Sequence, residues 1–327
     1  MRTRKVSILV FKEAVPASIV DPSYMLSAVN QFLRESGREP AFEVQLVGRN
    51  REVPLNHGVF SVRTDAALEE VKKTDLVIIP ALSGDLKATL ESNRDLIPWI
   101  LRQHARGAEV ASLCLGAFLL AATGLLDGKE CSTHWLYADE FRTLFPKVKL
   151  VDGQIISDVQ GLYSSGGASS YWNLLLHLIE KYTDRELAIR ASKFFAIEID
   201  RKTQSPFIMF QGQKKHEDEP IKQAQEFIEH NVGERISVEE LALRFAIGRR
   251  HFERRFKKAT NNTPIEYMQR VKIEAAKKFL ENSSKNVTEV MYEVGYTDVK
   301  AFRTVFKKIT GLSPMGYRNK YNRMAAV

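Results

Sequence analysis

Cysteine is nearly absent from this chain: 327 residues contain two, Cys114 and Cys131. Two thiols cannot form a disulfide framework and suit a reducing cytoplasm. No His, Cys, Asp and Glu cluster has metal-ligand spacing, and no phosphate-binding glycine loop or Ser/His/Asp motif stands out, so neither metal nor cofactor is expected. Long apolar runs are also lacking. The longest, Ala117 to Leu126, is interrupted by Thr123 and Gly124 and falls well short of the ~20 residues that span a bilayer. The opening MRTRKVSILVFKEAVP imitates a leader only briefly, because Lys12 and Glu13 cut its apolar stretch; a first strand explains it better.

Excess charge is missing from the first two thirds and concentrated in the last. Residues 1–213 carry 25 Lys+Arg against 25 Asp+Glu, whereas residues 214–327 carry 23 against 15, so the whole net charge of +8 lies there. A basic segment on a neutral body suggests a polyanion-binding module, since phosphate contacts dominate nucleic-acid affinity. A membrane surface is the competing polyanion. The basic segment, however, lacks the wide apolar face with interfacial Trp that membrane docking requires.

That basic segment is duplicated. Phe252/Phe302, Phe256/Phe306, Lys257/Lys307, Lys258/Lys308, Thr260/Thr310, Pro264/Pro314 and Tyr267/Tyr317 are identical pairs at an offset of fifty. Ser237 with Glu240, and Asn286 with Glu289, are helix-start signatures. A glycine-containing break follows each, Ala246-Ile247-Gly248 and Val294-Gly295-Tyr296, and then a basic helix. The pattern is helix, tight turn, helix, twice over. The offset is forty-nine between Leu241 and Val290, so the second turn holds one extra residue.

The second helix of each copy sorts its faces by chemistry. Phe252 and Phe256, like Phe302 and Phe306, form an apolar stripe, while Arg250, Glu253, Arg254 and Lys257 recur at i, i+3, i+4, i+7 on another face. Lys300, Arg303, Thr304 and Lys307 repeat that spacing. Such a ridge fits the major groove, where Arg pairs with guanine and Thr meets the thymine methyl. One charged helix face alone is most often just solvated; duplication, turn and charge together favour double-stranded DNA as the partner.

The run from Ser237 to Tyr317, with LALRFAIGRRHFERRFKK, TPIEYMQRVKIEAAKKFL and EVGYTDVKAFRTVFKKITGLSPMGYR, closely resembles the AraC/XylS DNA-binding domain. The likeness covers about 100 residues, including both helix-turn-helix units, the linking helix that starts at Thr263-Pro264 and the closing Gly-x-Ser-Pro-x-x-Tyr-Arg. It implies two recognition helices entering successive major grooves. By position, Arg250, Glu253 and Arg254, and Val299, Lys300, Arg303 and Thr304, are the implied base readers, with Lys257, Lys258, Lys307 and Lys308 near phosphates. Met291-Tyr292 departs from the family, which usually has a small residue first, so packing there should differ slightly.

In the first 200 residues, Lys5–Phe11, Phe42–Val47, Leu76–Pro80 and Glu109–Leu113 read as short β-branched strands, with helices between them such as Pro22–Ser36 and Arg94–Arg106. The alternation implies an α/β fold, a parallel sheet covered on both faces. Residues 201–220, polar and with two prolines, read as a linker whose FIMF patch docks on a domain or a partner subunit. The expected division is 1–200, 201–220 and 221–327, the last an all-α domain with two helix-turn-helix units.

The sharpest local feature of the first part is ASLCLGAFLLAATGLLDGKECSTHW. A strand ending at Leu113 turns at Cys114-Leu115-Gly116 into an apolar helix, placing Cys114 on a strained elbow where helix N–H groups favour a thiolate. His134 follows twenty residues on and can approach. This stretch, with SSGGASSYWNLLLHLIE from Ser164, resembles ThiJ/PfpI-type domains, relatives of class I glutamine amidotransferases with a flavodoxin-like sandwich. Active peptidase-like members usually carry a His directly after the elbow Cys, where this chain has Leu115; Asp21 occupies roughly the place of a functional Asp in isonitrile-hydratase-like members.

The resemblance implies a vestigial enzyme pocket, with no catalytic residue, that senses a small amine or amino acid through Asp21, Cys114, Leu115, His134, Gly166 and Gly167. The resulting expectation is a cytoplasmic, homodimeric transcriptional activator that contacts DNA and RNA polymerase. The alternatives are a cysteine-dependent hydrolase or hydratase localised by a basic tail, and a non-specific nucleoid-type binder.

Overall fold

The computed structural model describes residues 2–322, which divide into two compact units meeting between Gln204 and Ser205.

The first unit contains strands β1 (Arg4–Val10), β2 (Phe42–Gly48), β3 (Glu52–Leu55), β4 (Phe60–Arg63), β5 (Ala66–Ala67), β6 (Leu76–Ile79), β7 (Glu109–Ser112), β8 (Glu130–Cys131), β9 (Lys149–Leu150), β10 (Ile156–Val159) and β11 (Leu162–Ser165). Its helices are α1 (Ala17–Glu35), α2 (Leu86–Ser92), α3 (Leu96–Ala105), α4 (Gly116–Ala122), α5 (Ala138–Leu144), α6 (Tyr171–Tyr182) and α7 (Arg185–Phe194). Seven strands form one sheet in the order β10-β11-β7-β6-β1-β2-β5. All its pairings are parallel except β10 with β11. The order reverses between β1 and β6, as in a flavodoxin-like sheet.

Successive residues of a strand point to opposite faces, yet Val77, Ile78 and Ile79 are all fully buried. Both faces are therefore covered, and helices do the covering: α1, α6 and α7 pack on one another, α2 packs on α4, and α3 and α4 lie against β7. Helix α1 begins at Ala17, earlier than the expected Pro22, which sits inside the helix. A proline reads as a helix start because its missing N–H costs nothing there; here it is tolerated in the second turn.

The second unit is all helix: α8 (Glu219–His230), α9 (Val238–Arg244), α10 (Arg249–Thr260), α11 (Pro264–Asn282), α12 (Val287–Glu293), α13 (Val299–Thr310) and α14 (Pro314–Tyr321). It has two small cores. Ile221, Ala224, Leu241, Phe252, Phe256 and Tyr267 fill the first; Ile273, Leu280, Val290, Phe302, Phe306 and Tyr317 fill the second. Helix α11 belongs to both, offering Met268 and Val271 to one and Ile273 and Ala276 to the other.

The stretch 201–220 is not a free linker. Thr203 and Gln204 are hydrogen-bonded into the first unit through the Gly153 carbonyl. Phe210 packs on Tyr267, with ring centroids 5.1 Å apart, and its N–H donates to the Glu274 carboxylate at 3.0 Å. Of the FIMF patch, Phe210 is docked on the linking helix, while Phe207 and Met209 stay exposed.

Candidate nucleic-acid interface and the pocket at the elbow

The duplication seen in the sequence is a duplication of packing. The rings of Phe252 and Phe256 lie 5.6 Å apart and those of Phe302 and Phe306 5.7 Å apart. Tyr267 meets Phe256 edge-on at 5.3 Å, and Tyr317 meets Phe306 at 5.6 Å. Thr260 and Thr310 each donate to the Phe carbonyl four residues back at 2.8 Å, and each helix ends in a left-handed residue, Asn261 or Gly311. Both tyrosine hydroxyls donate to a carboxylate, Tyr267 to Glu229 and Tyr317 to Glu281.

Each helix pair opens with a capping box. Ser237 accepts from Glu240 N–H while Glu240 accepts from Ser237 N–H, and Asn286 with Glu289 does the same, a reciprocal arrangement that satisfies two orphan donors. In the turns, Ala246 and Gly295 occupy equivalent left-handed positions, with φ of 51° and 72°. At the start of α13 Asp298 is the cap, accepting from Ala301 N–H at 2.7 Å. Its counterpart Gly248 offers α10 no side-chain cap.

Burying the phenylalanine stripes turns the opposite face of α10 and α13 outward. Arg250, Arg254 and Lys257 are exposed on α10, and Val299, Lys300, Arg303, Thr304 and Lys307 on α13. Among the described residues, Arg250, Arg254, Lys258, Lys300, Arg303, Lys307 and Lys308 have no ion-pair partner. Glu253, an expected base reader, and Lys257, expected near a phosphate, each have a partner within the protein. Glu253 accepts from Arg249 at 3.2 Å, and Arg249 also pairs with Glu239. Lys257 donates to the Asn261 carbonyl at 2.7 Å, closing the C-terminus of its own helix. Arg255, on the inner side, is held in a two-pronged bond to Asp218, at 2.9 and 2.7 Å, which holds the Asp218 carboxyl below its usual range. Met291 is fully buried in the second core and Tyr292 exposed, so the larger residue is absorbed without disturbing the repeat.

In the first unit, β7 ends at Ser112 and Cys114 turns the chain into α4 with φ of 52°, a left-handed value that costs a non-glycine residue about 1–3 kcal/mol. The turn is held from both sides: Ser165 Oγ accepts from Cys114 N–H at 3.1 Å, and Thr133 Oγ donates to the Cys114 carbonyl at 3.3 Å. The packed surroundings oppose the expected thiolate. Burial pushes the Cys114 thiol up to about 12, against a weaker opposing hydrogen bond from the Leu115 N–H, because the N-terminus of a helix only seven residues long cannot offset desolvation. Leu115 is buried beside it.

Asp21 and Cys114 share surroundings through Tyr171. The Tyr171 hydroxyl donates to Asp21 at 2.6 Å, and burial, then Asp21, then Cys114 raise its ionisation above the usual phenol range. His134 plays another part: its Nδ1 accepts from Leu136 N–H at 3.2 Å, capping a short turn. Among the described residues it makes no hydrogen bond to Cys114. Burial lowers its basicity. Gly166 and Gly167 lie beneath the Gln204 carboxamide.

Comparison with known proteins fits these two units. Residues 4–181 match the DJ-1/PfpI family model and residues 241–320 match a helix-turn-helix domain model. The chain belongs to the DJ-1/PfpI family. Its second unit is an AraC-type helix-turn-helix domain. The chain is 27% identical over 313 residues to the HTH-type transcriptional regulator GbdR of Pseudomonas aeruginosa, covering 92% of this chain and 80% of that one. It is 28% identical over 222 residues to ArgR, an HTH-type transcriptional regulator of the same species, covering 67% of each. A crystal structure of a Vibrio parahaemolyticus protein assigned as a transcriptional regulator superposes with a TM-score of 0.53 at 25% identity, covering 59% of this chain and 99% of that one.

Three residues of this DJ-1/PfpI chain escaped the sequence reading. Lys272, on α11, donates to the carbonyls of Val232, Glu234 and Val294 at 2.8, 2.9 and 2.9 Å, tying the loop before α9 to the second turn. Nothing local distinguishes it from other lysines on a helix. Tyr171 lies within SSGGASSYW with no local signal that sets it apart, and Gln204 lies in a polar, proline-containing stretch that composition marks as linker.

Proposed function

We propose that this chain is a sequence-specific DNA-binding transcriptional regulator, acting as an activator in the cytoplasm. The observation that carries the reading is the repeated ridge: two recognition helices, each buried through a phenylalanine pair, each presenting cations with no ion-pair partner among the described residues. Arg250 and Arg254, and Lys300, Arg303 and Thr304, are the base-reading residues, with Val299 touching a thymine methyl. Lys258, Lys307 and Lys308 meet phosphates, joined by Lys257 in a helix-closing role, while Glu253 orients Arg249. The likeness to GbdR and ArgR, both named as transcriptional regulators, supports the same reading.

The DJ-1/PfpI unit serves as the input. Its elbow holds a thiol whose ionisation is opposed by burial, a following Leu115 and a His134 that caps a short turn, a set that does not favour nucleophilic catalysis. The unit senses a small amine or amino acid, or a homodimer contact, and so changes how the DNA-binding unit engages its operator and RNA polymerase.

The test is binding of the purified protein to fragments of its source genome at near-physiological salt, beside the Arg254→Ala/Arg303→Ala double variant. One or a few tightly bound fragments, with the preference lost in the variant, is the expected result. Equal binding of all fragments by both proteins would reduce the chain to a non-specific binder. Turnover of any substrate abolished by Cys114→Ser would instead support the hydrolase or hydratase reading.

A further inference from the structure

After α7 the chain returns across the first unit as a strap, and its last residue is held as a ligand would be. Thr203 bridges to Gln154 in antiparallel fashion, and the Gln204 N–H donates to the Gly153 carbonyl at 2.6 Å. Gln204 is only 2% exposed. Its Nε2 donates to the carbonyls of Thr133 at 3.0 Å and Gln154 at 2.8 Å, and its Oε1 accepts from Trp135 N–H at 3.3 Å.

The space for this carboxamide exists because Gly166 leaves it open. A Cβ there would fall on Gln204 Nε2, whereas one at Gly167 would meet Oε1 only at ordinary contact distance, 3.4 Å. The cradle rests on the elbow, since Thr133, which supplies one acceptor, also donates to the Cys114 carbonyl. A cavity of about 380 Å³ has Gln154, Ile155, Ile199 and Lys202 in its wall, so solvent-accessible space reaches the backbone that holds the strap. One residue further on, at Ser205, the second unit begins.

We propose that this cradle is an amide-recognition site, that Gln204 is its internal ligand, and that a small molecule with a primary carboxamide displaces Gln204 and releases the strap. Two carbonyl acceptors and one N–H donor match the two N–H groups and one oxygen of a primary amide. A carboxylate would leave both carbonyls without donors, and an ammonium would leave the Trp135 N–H without an acceptor; buried polar groups left unpaired are what reject a wrong ligand. A tethered competitor at high effective concentration keeps affinity low in the intact protein, so removing it should strengthen amide binding by the fraction it held the site. The site stands on its own geometry; its role as an effector site rests on the regulator reading.

The full-length protein and Gln204→Ala are compared with acetamide, the fragment that the substitution deletes, and with acetate. All three tryptophans, Trp99, Trp135 and Trp172, lie in the first unit, so melting followed by tryptophan fluorescence reports that unit. Acetamide should raise the Tm of Gln204→Ala by at least twice the rise in the wild type, with acetate inert, and amide exchange at residues 201–205 should be faster in the variant and slowed by acetamide. In Gly166→Ala/Gln204→Ala the added methyl fills the cradle and the response should vanish. If Gln204→Ala does not fold, Gln204→Asn, whose carboxamide is one methylene shorter, takes its place. Equal responses in wild type and variant, an equal effect of acetate, or persistence in the double variant would overturn the proposal. DNA is not read in this experiment, so its failure leaves the regulator reading standing, and a failure of DNA binding leaves the cradle standing.

Discussion

The two helix-turn-helix units are the same fold solved twice with different degrees of internal satisfaction. In the first, the recognition helix α10 is partly neutralised by its own protein: Arg249 pairs with Glu239 and Glu253, Arg255 with Asp218, and Lys257 closes the helix end. In the second, α13 is capped by Asp298 and leaves Lys300, Arg303 and Lys307 without ion-pair partners among the described residues. The ring contacts and hydrogen bonds that position a helix are thus repeated, while the pairing of its charges is not. Duplicated cores preserve geometry; their exposed ridges are free to diverge, α10 adding internally paired cations to its unpaired Arg250, Arg254 and Lys258 where α13 has none among the described residues.

The turns differ just as sharply, which gives the largest expected effect. At Gly295 a Cβ would collide with the Gly233 carbonyl and the Lys272 ammonium, at a φ of 72°. Ala246 already carries a Cβ at the equivalent position and is exposed. Gly295→Ala should therefore destabilise the second unit by about 3 kcal/mol, combining left-handed strain with a clash against backbone. Urea unfolding followed by far-ultraviolet circular dichroism would show it as an early helical transition, with tryptophan fluorescence, confined to the first unit, unmoved. Next comes the clamp between the two: Lys272→Met strips three carbonyls of their donor and should cost about 2–3 kcal/mol in the same measurement.

Charge-level changes are smaller. Glu253→Gln releases Arg249 from one of its two carboxylates, so DNA affinity should rise several-fold and the slope of log affinity against log salt should steepen by up to about 1. The result would bring the first unit closer to the second; an unchanged slope would show that Arg249 stays with Glu239. Smallest of all, Ala246→Gly should relieve strain in the first turn and raise stability by ~0.5–1 kcal/mol, read as a shift of the helical transition to higher urea.

The repeat was legible because identical residues at constant spacing survive in any single sequence. So was the alternation that builds the parallel sheet, since β-branched runs such as Leu76–Ile79 are local signals. What the sequence concealed depends on partners distant along the chain. The Cys114 elbow was visible, but its protonation was not, because desolvation is a property of the packed surroundings. The ion pair of Glu253 with Arg249 was hidden as well, because the i, i+4 spacing permits it without requiring it. Gln204 and Phe210 lie in a polar, proline-containing stretch that composition marks as linker, yet each finds a docking place that only the folded units create.

The central claim is that two recognition helices read two separate segments of DNA. The direct measurement is a scan of single base-pair substitutions through a bound operator, by wild type, Arg254→Ala and Arg303→Ala. Two clusters of sensitive positions about one helical turn apart are predicted, with Arg254→Ala flattening one and Arg303→Ala the other, each by about 1–3 kcal/mol. A single cluster, or uniform weakening by both variants at every position, would contradict it.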